Sequence, residues 1–189
     1  MSRIGNDLKD SQINWKVALA FIPIAFFTYL FHEFGHWTIG EILGNDMIIS
    51  LNNSAPKSGH FNTNSAALWS AIGGPLFTIL QAIIFLLITQ RTKSIYAYSF
   101  VFFAVFSRFF SIVFGGINLQ DEARISSMLH VNEYLVAGIV LLILFLLLWR
   151  SSRIMNLNFK AIGYYTVLST LAILLIIGVV NCQFSVFNF

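Results

Sequence analysis

Long apolar runs separated by short polar stretches dominate the chain and predict five membrane-spanning helices. Each run is close to the roughly 20 residues needed to cross the hydrocarbon core of a bilayer. We therefore expect an all-α integral membrane protein with about five transmembrane helices. The expected helices cover residues 15–43, 65–89, 95–114, 131–149 and 161–180, after a polar lead at residues 1–14.

The longest internal polar stretch, residues 44–64, has a different pattern. A short apolar run from Met47 to Leu51 is followed by turn-forming residues at 52–59. Apolar residues bounded by turn formers predict a short β-hairpin, which here would lie at the membrane surface. A plain connecting loop is the alternative.

The composition supports a membrane protein and excludes a nucleic-acid-binding one. Hydrophobic residues make up 57% of the chain and charged residues only 10%, whereas a soluble domain carries about 25% charged residues. The net charge is +3, but the basic residues are scattered between apolar runs and form no patch. Most Lys and Arg residues fall in loops that share one side with the N-terminus, which predicts a cytoplasmic N-terminus. We place the chain in the plasma (inner) membrane of a bacterium.

The segment His32-Glu33-Phe34-Gly35-His36 lies inside the first apolar run and carries the strongest chemical signal. On a helix, residues i and i+4 share a face, so both imidazoles can reach one metal ion. Glu33 is then placed to act as general base on a water at a zinc ion. Ionisable residues in a membrane-spanning segment usually mark a functional site. The alternative to a metal site is that the two histidines and the glutamate are core residues hydrogen-bonded to neighbouring helices.

A catalytic zinc site usually has three protein ligands, so a third ligand is needed. Asp121 is favoured because it begins a predicted helix beside a glycine-rich break, although an aspartate there can also cap the helix. Glu41 should point away from the histidines, and His60 is expected to be a solvated loop residue. Arg108, inside the third helix, must either extend to the membrane surface or pair with an acid. The candidate ligands are Asp121, Glu122, Glu41, Glu133 and His60, and the candidate partners of Arg108 are Asp121, Glu122 and Glu41.

Three segments together resemble the site-2 protease family of intramembrane zinc metalloproteases (peptidase family M50). The His32 to His36 segment is similar to the first family motif, and Gly73-Gly74-Pro75-Leu76 to the entry of its second core helix. Residues 118–125 are similar to its asparagine-leucine stretch and the Asp-Gly-Gly-Arg-like segment that follows. The resemblance covers roughly residues 15–131. It departs from the family at Glu122, which replaces a glycine, so Glu122 could be the third ligand or share that role.

The resemblance implies a role for each matched residue and a substrate class. It implies that His32, His36 and Asp121 bind Zn²⁺, that Glu33 is the catalytic base, and that Asn118 lies near the site and helps to steady substrate or the oxyanion. It implies an intramembrane zinc metalloendopeptidase that cleaves a transmembrane or membrane-proximal protein substrate. The expected organisation is a three-helix protease core at 15–130, including the hairpin at 44–64, and two C-terminal transmembrane helices at 131–189. A membrane metal transporter and a non-catalytic scaffold stabilised by zinc are the alternatives.

Overall fold

The computed structural model describes residues 11–186, with side chains through Val180. This part of the chain contains five long helices, one short helix, a 3₁₀ turn and a small two-stranded sheet. All five helices are long and apolar enough to span a membrane. Residues 1–10 of the predicted polar lead lie outside the described range. In chain order the elements are α1 (Trp15–Ile42), β1 (Met47–Ile49), β2 (Ser54–Pro56), α2 (Asn64–Thr92), α3 (Ile95–Phe114), a 3₁₀ turn (Ile117–Leu119), α4 (Asp121–Met128), α5 (Glu133–Met155) and α6 (Phe159–Val186).

Polar residues at the ends of the apolar runs define where the helices begin. The side chain of Asn14 accepts hydrogen bonds from two backbone N–H groups in the first turn of α1, and Thr63 and Ser94 cap α2 and α3 in the same way. Such caps satisfy N–H groups that have no partner inside the helix. Lys93 ends α2 with a φ of 50°, so the chain reverses and α3 begins two residues later.

The hairpin prediction is confirmed, but the predicted turn was too late in the sequence. β1 and β2 pair antiparallel, with Met47 opposite Pro56 and Ile49 opposite Ser54. The chain reverses at 50–53, and residues assigned to the turn form β2. Ser-Ala-Pro has little strand propensity of its own, so the sequence pattern did not show the second strand.

The fourth predicted helix, at residues 131–149, is confirmed as α5, but the alternative of a helix that already begins at Asp121 is wrong. Residues 121–128 form the separate helix α4. α4 ends at Met128, His130 adopts a left-handed φ of 55°, and Asn132 caps α5 through a hydrogen bond from Tyr134 N–H. The break separates α4 from α5 and allows α4 to pack against both α5 and α2.

Glycines allow α1 and α2 to cross with their backbones in contact. A Cβ added to Gly73 would overlap the carbonyl of Gly35, and one added to Gly35 would lie 2.8 Å from the carbonyl carbon of Gly73. Side-chain-free crossings of this kind allow close helix packing in membranes. The crossing joins α1, at the depth of His32 and His36, to the first half of α2.

The remaining helices form a largely apolar support around this crossing. Aromatic residues of α1, α3 and α6 pack together, as in the pair Phe21 and Tyr165 with ring centroids 5.7 Å apart. Large apolar side chains on the outer faces, such as Leu142 and Leu171, are exposed, as expected for surfaces in contact with lipid.

Candidate metal centre

His32 and His36 lie on the face of α1 that packs against α2. Both residues are buried, each with 7% of its surface exposed. Their Nε2 atoms are 3.2 Å apart, as the i, i+4 spacing predicts. The two imidazoles therefore direct their ring nitrogens at one point.

Hydrogen bonds from the other ring nitrogens set the tautomers. His36 Nδ1 lies 2.7 Å from the carbonyl oxygen of Ser70, which can only accept, so Nδ1 is the donor. His32 Nδ1 lies 2.9 Å from the Thr78 hydroxyl, which donates its own proton to Gly74 O and so accepts from His32. In both rings a lone pair remains on Nε2, as in histidines that bind metals through this atom.

Gly74 provides the space in which the two rings sit. A Cβ at this position would overlap His36 Nε2 and lie 2.7 Å from His32 Cε1. The segment Gly73-Gly74-Pro75-Leu76 therefore has a defined structural role, because its glycines allow α2 to pack against the histidines without a side chain between them.

Asp121 supplies the third potential ligand from the first residue of α4. Its Oδ2 atom lies 3.0 Å from His32 Nε2 and 3.3 Å from His36 Nε2. Gln120 is the N-cap residue of α4, so the alternative role of Asp121 as a cap is wrong. Burial opposes ionisation of Asp121, but its contacts with His32 and His36 outweigh this effect and hold the pKa of Asp121 well below its usual range. Asp121 is thus a carboxylate, which is the form that binds metals.

The other candidate ligands lie elsewhere. Glu122 is fully buried and pairs with Arg108, so the prediction that Arg108 pairs with an acid is confirmed and extension to the surface is wrong. Glu41 accepts a hydrogen bond from Met47 N–H. Glu133 and His60 are exposed. Among the side chains that the structure describes, through Val180, His32, His36 and Asp121 are the group of three whose ligand atoms lie within 4.8 Å of one another.

A polar-lined cavity of about 400 Å³ opens above the three residues. Glu33 lines this cavity with only 8% of its surface exposed, and Asn53 and Ser54 of the hairpin region line it from the opposite side. Asn118 does not line it. It is exposed on the 3₁₀ turn and borders a neighbouring cavity that Asp121 also lines, so its role near the site stays a prediction.

Sequence reasoning missed Thr78 and Ser70, which orient the histidines. One signal was available for Thr78, since a polar residue within a membrane-spanning helix calls for an explanation. The same signal applies to Ser70, whose hydroxyl donates to the His36 carbonyl oxygen, although its contact to the imidazole is made through a backbone carbonyl.

The donor set fits a divalent metal ion. Two imidazole lone pairs and a carboxylate oxygen converge, and these electron-rich atoms need protons or a cation among them. The set suits zinc and also other transition metals, and with three ligands it would leave a coordination position open. No protein-family model, curated protein or solved structure gives a significant match to this chain.

Proposed function

We propose that the chain is an intramembrane zinc endopeptidase similar to the site-2 proteases, cleaving peptide bonds of membrane-embedded or membrane-adjacent proteins. One observation carries the proposal: the ligand atoms of His32, His36 and Asp121 converge inside a bundle of apolar helices, beside Glu33 and an open cavity. Structural zinc sites use four protein ligands, whereas catalytic sites use three and leave one position open. A set of three ligands, beside the carboxyl group of Glu33 that is not itself a ligand, favours catalysis.

Glu33 is the residue that would move the proton. It follows His32 on α1, is buried, and faces the same cavity as the ligand atoms. A bound zinc ion would supply the Lewis acidity that activates water towards an amide carbonyl. Glu33 accepts the proton of the attacking water and delivers it to the leaving amine, as a general base and then a general acid. Neither metal transport nor a structural zinc site requires a carboxylate in this place.

The hairpin is the proposed docking strand for the substrate. Backbone bonds join Asp46 to Lys57 and Ser50 to Asn53, so in the alternating antiparallel pattern Ser54 directs its N–H and C=O away from β1. Ser54 lines the cavity, and its hydroxyl is buried without a hydrogen-bond partner. An unwound substrate segment adds to this free edge as a third strand. Replacing Ser54 with Pro removes the outward N–H and should raise KM, while Ser54→Ala should not. Equal KM values for the two variants would exclude this docking.

The decisive experiment combines metal analysis with proteolysis. Purified wild-type protein in detergent is assayed for zinc content and for cleavage of a panel of single-pass membrane proteins, beside Glu33→Gln and Asp121→Asn. Glu133→Gln serves as control, because Glu133 is exposed at the start of α5. We expect about one zinc per chain, cleavage lost in Glu33→Gln with zinc retained, and zinc lost in Asp121→Asn.

Three outcomes would contradict the proposal. A wild-type protein without metal would remove its basis. Cleavage that persists in Glu33→Gln would show that another activity is responsible. Zinc flux into vesicles that is unchanged by Glu33→Gln, together with no proteolysis, would favour a metal transporter.

The proposed location is a bacterial inner membrane with a cytoplasmic N-terminus. The basis is the excess of Lys and Arg in the loops on the N-terminal side, including Arg91, Lys93, Arg150 and Arg153. This orientation puts Asp121 towards the outer face. Fusions to two kinds of reporter enzyme test it, one active only in the cytoplasm and the other only outside. The cytoplasmic reporter should be active when fused after residue 92, and the outside reporter when fused after residue 130.

A further inference from the structure

A buried ion pair lies directly beside the candidate metal centre. Arg108 of α3 is 8% exposed and Glu122 of α4 is not exposed at all. Arg108 Nε donates to Glu122 Oε1 at 3.2 Å, and its Nη2 donates to Oε2. This two-point contact of a planar guanidinium with a carboxylate fixes both direction and distance.

The same guanidinium also borders the ligand atoms. Its Nη2 lies 3.8 Å from Asp121 Oδ2, and its Nη1 lies 3.5 Å from His32 Nε2. Asp121 and Glu122 are consecutive, yet their side chains diverge, one towards the histidines and the other towards Arg108. Arg108 therefore separates the two acids.

Besides the pair of Arg108 and Glu122, the first turn of α4 is held by buried Ala123 and by Arg124, whose guanidinium lies 5.7 Å from the centroid of the Phe61 ring. The preceding turn at 117–119 has no buried residue, and Gln120 makes no side-chain capping bond. The second half of α4 is anchored by buried Ile125 and Ser126. Among the residues of this turn, Glu122 makes the directional contact next to Asp121, and its ion pair with Arg108 helps to set the direction in which Asp121 points.

We propose that Arg108 is a positioning residue that, through Glu122, holds Asp121 Oδ2 at the metal-ligand position and keeps Glu122 off the metal. The inference rests on the metal centre of the proposed function and not on peptide hydrolysis.

The ion pair of Arg108 and Glu122 also has an electrostatic consequence. Glu122 neutralises Arg108, so a bound cation does not face an uncompensated positive charge at this short distance.

A purely structural role makes a different prediction. Replacing a buried ion pair with apolar side chains of similar volume is often neutral or stabilising, because the desolvation cost disappears. If the pair only fills space, Arg108→Leu/Glu122→Leu should keep both the fold and the metal affinity. If the pair positions Asp121, the fold is kept and the affinity falls.

The test uses full-length protein in detergent and Co²⁺ as a spectroscopic probe. Affinity is measured by competition with a chelator, coordination by the visible absorption bands, and the fold by the Tm of the metal-free protein. The variants are Arg108→Leu/Glu122→Leu, the polar pair Arg108→Gln/Glu122→Gln, and the single change Glu122→Gln. The matched control removes an exposed ion pair of the hairpin region, as Asp46→Asn/Lys57→Gln.

We expect both double variants to bind Co²⁺ about 10- to 100-fold more weakly, the size of effect seen for residues that support metal ligands, with shifted absorption bands. At least one should keep the wild-type Tm without metal. Glu122→Gln, which leaves the charge of Arg108 facing the ion, should bind more weakly than the polar double variant, and the control should match wild type.

Double variants with the Co²⁺ affinity and absorption spectrum of wild type would overturn the inference. It would also be overturned if both double variants lose affinity and Tm in parallel. A wild-type protein that binds no Co²⁺ would instead overturn the metal centre itself. Metal binding that depends on Arg108 without any proteolysis would leave this inference standing and remove only the protease proposal.

Discussion

His32 of α1 donates its Nδ1 proton to the hydroxyl of Thr78 on α2, at 2.9 Å. The bond crosses the helix interface and fixes which ring nitrogen is free to bind a metal. The orientation of the first ligand thus depends on a residue of a different helix. Supporting contacts of this kind are part of a metal site as much as its ligands are.

Thr78→Val should weaken zinc binding by about 10- to 100-fold while the fold is retained, because it removes the acceptor of His32 but keeps the side-chain volume. Zinc affinity by chelator competition is the measurement. Thr89→Val is the control, since Thr89 is also fully buried on α2 and donates to the carbonyl four residues earlier, yet lies away from the histidines. Equal affinities of the two variants would contradict the proposed role of Thr78.

Gly74→Ala should abolish or strongly reduce zinc binding, because the added methyl group would occupy the space of the His36 ring. Zinc content after purification measures the effect. Gly138→Ala is matched to it, as Gly138 is also a helical glycine but has nothing near its Cβ position. Full zinc occupancy in Gly74→Ala would mean that the rings lie elsewhere.

Gly73→Ala acts on the helix crossing and not directly on the rings. Its methyl group would meet the backbone of Gly35, which cannot move aside as a side chain can. We expect a loss of about 1–3 kcal/mol in the free energy of unfolding, the usual cost of overpacking. Denaturation in detergent measures it, with Gly163→Ala in an open position of α6 as the comparison. A Tm unchanged from wild type would show that the helices can separate at little cost.

Metal removal should lower the stability of the whole bundle, because the ligands join α1 to α4. A ligand at about 100 times its Kd stabilises the native state by roughly 2.7 kcal/mol. We expect zinc to raise the Tm of metal-free wild type and to leave that of Asp121→Asn unchanged. Asp46→Asn, which changes an exposed aspartate of the hairpin region, should respond as wild type does. An equal zinc response in Asp121→Asn would exclude Asp121 as a ligand.

The sequence predicts the long helices well because each apolar run must be near the length of a bilayer crossing. It predicts His32 and His36 because helical spacing alone places them together. Asp121 is harder, since it comes from a distant segment and an aspartate at a helix start is also a good cap. The structure favours it because Glu122 is engaged by Arg108.

Other features depend on contacts that no local pattern encodes. The second strand is formed by Ser-Ala-Pro, which adopts an extended conformation only through pairing with β1. The contact of Ser70 with the imidazole ring of His36 uses a backbone carbonyl, and every residue has one. Asn118 is placed by resemblance alone, and its role near the site stays a prediction.

The ligand set also has an order in time. Asp121 follows His32 by 89 residues, so the ribosome completes α1, the hairpin, α2 and α3 before it adds the third ligand. Until then the growing chain carries two imidazoles and Glu33 but no complete site. Under the proposed function, an incompletely synthesised chain in the bilayer cannot yet cleave the membrane proteins beside it. Activity begins only after the first three membrane-spanning helices have been made.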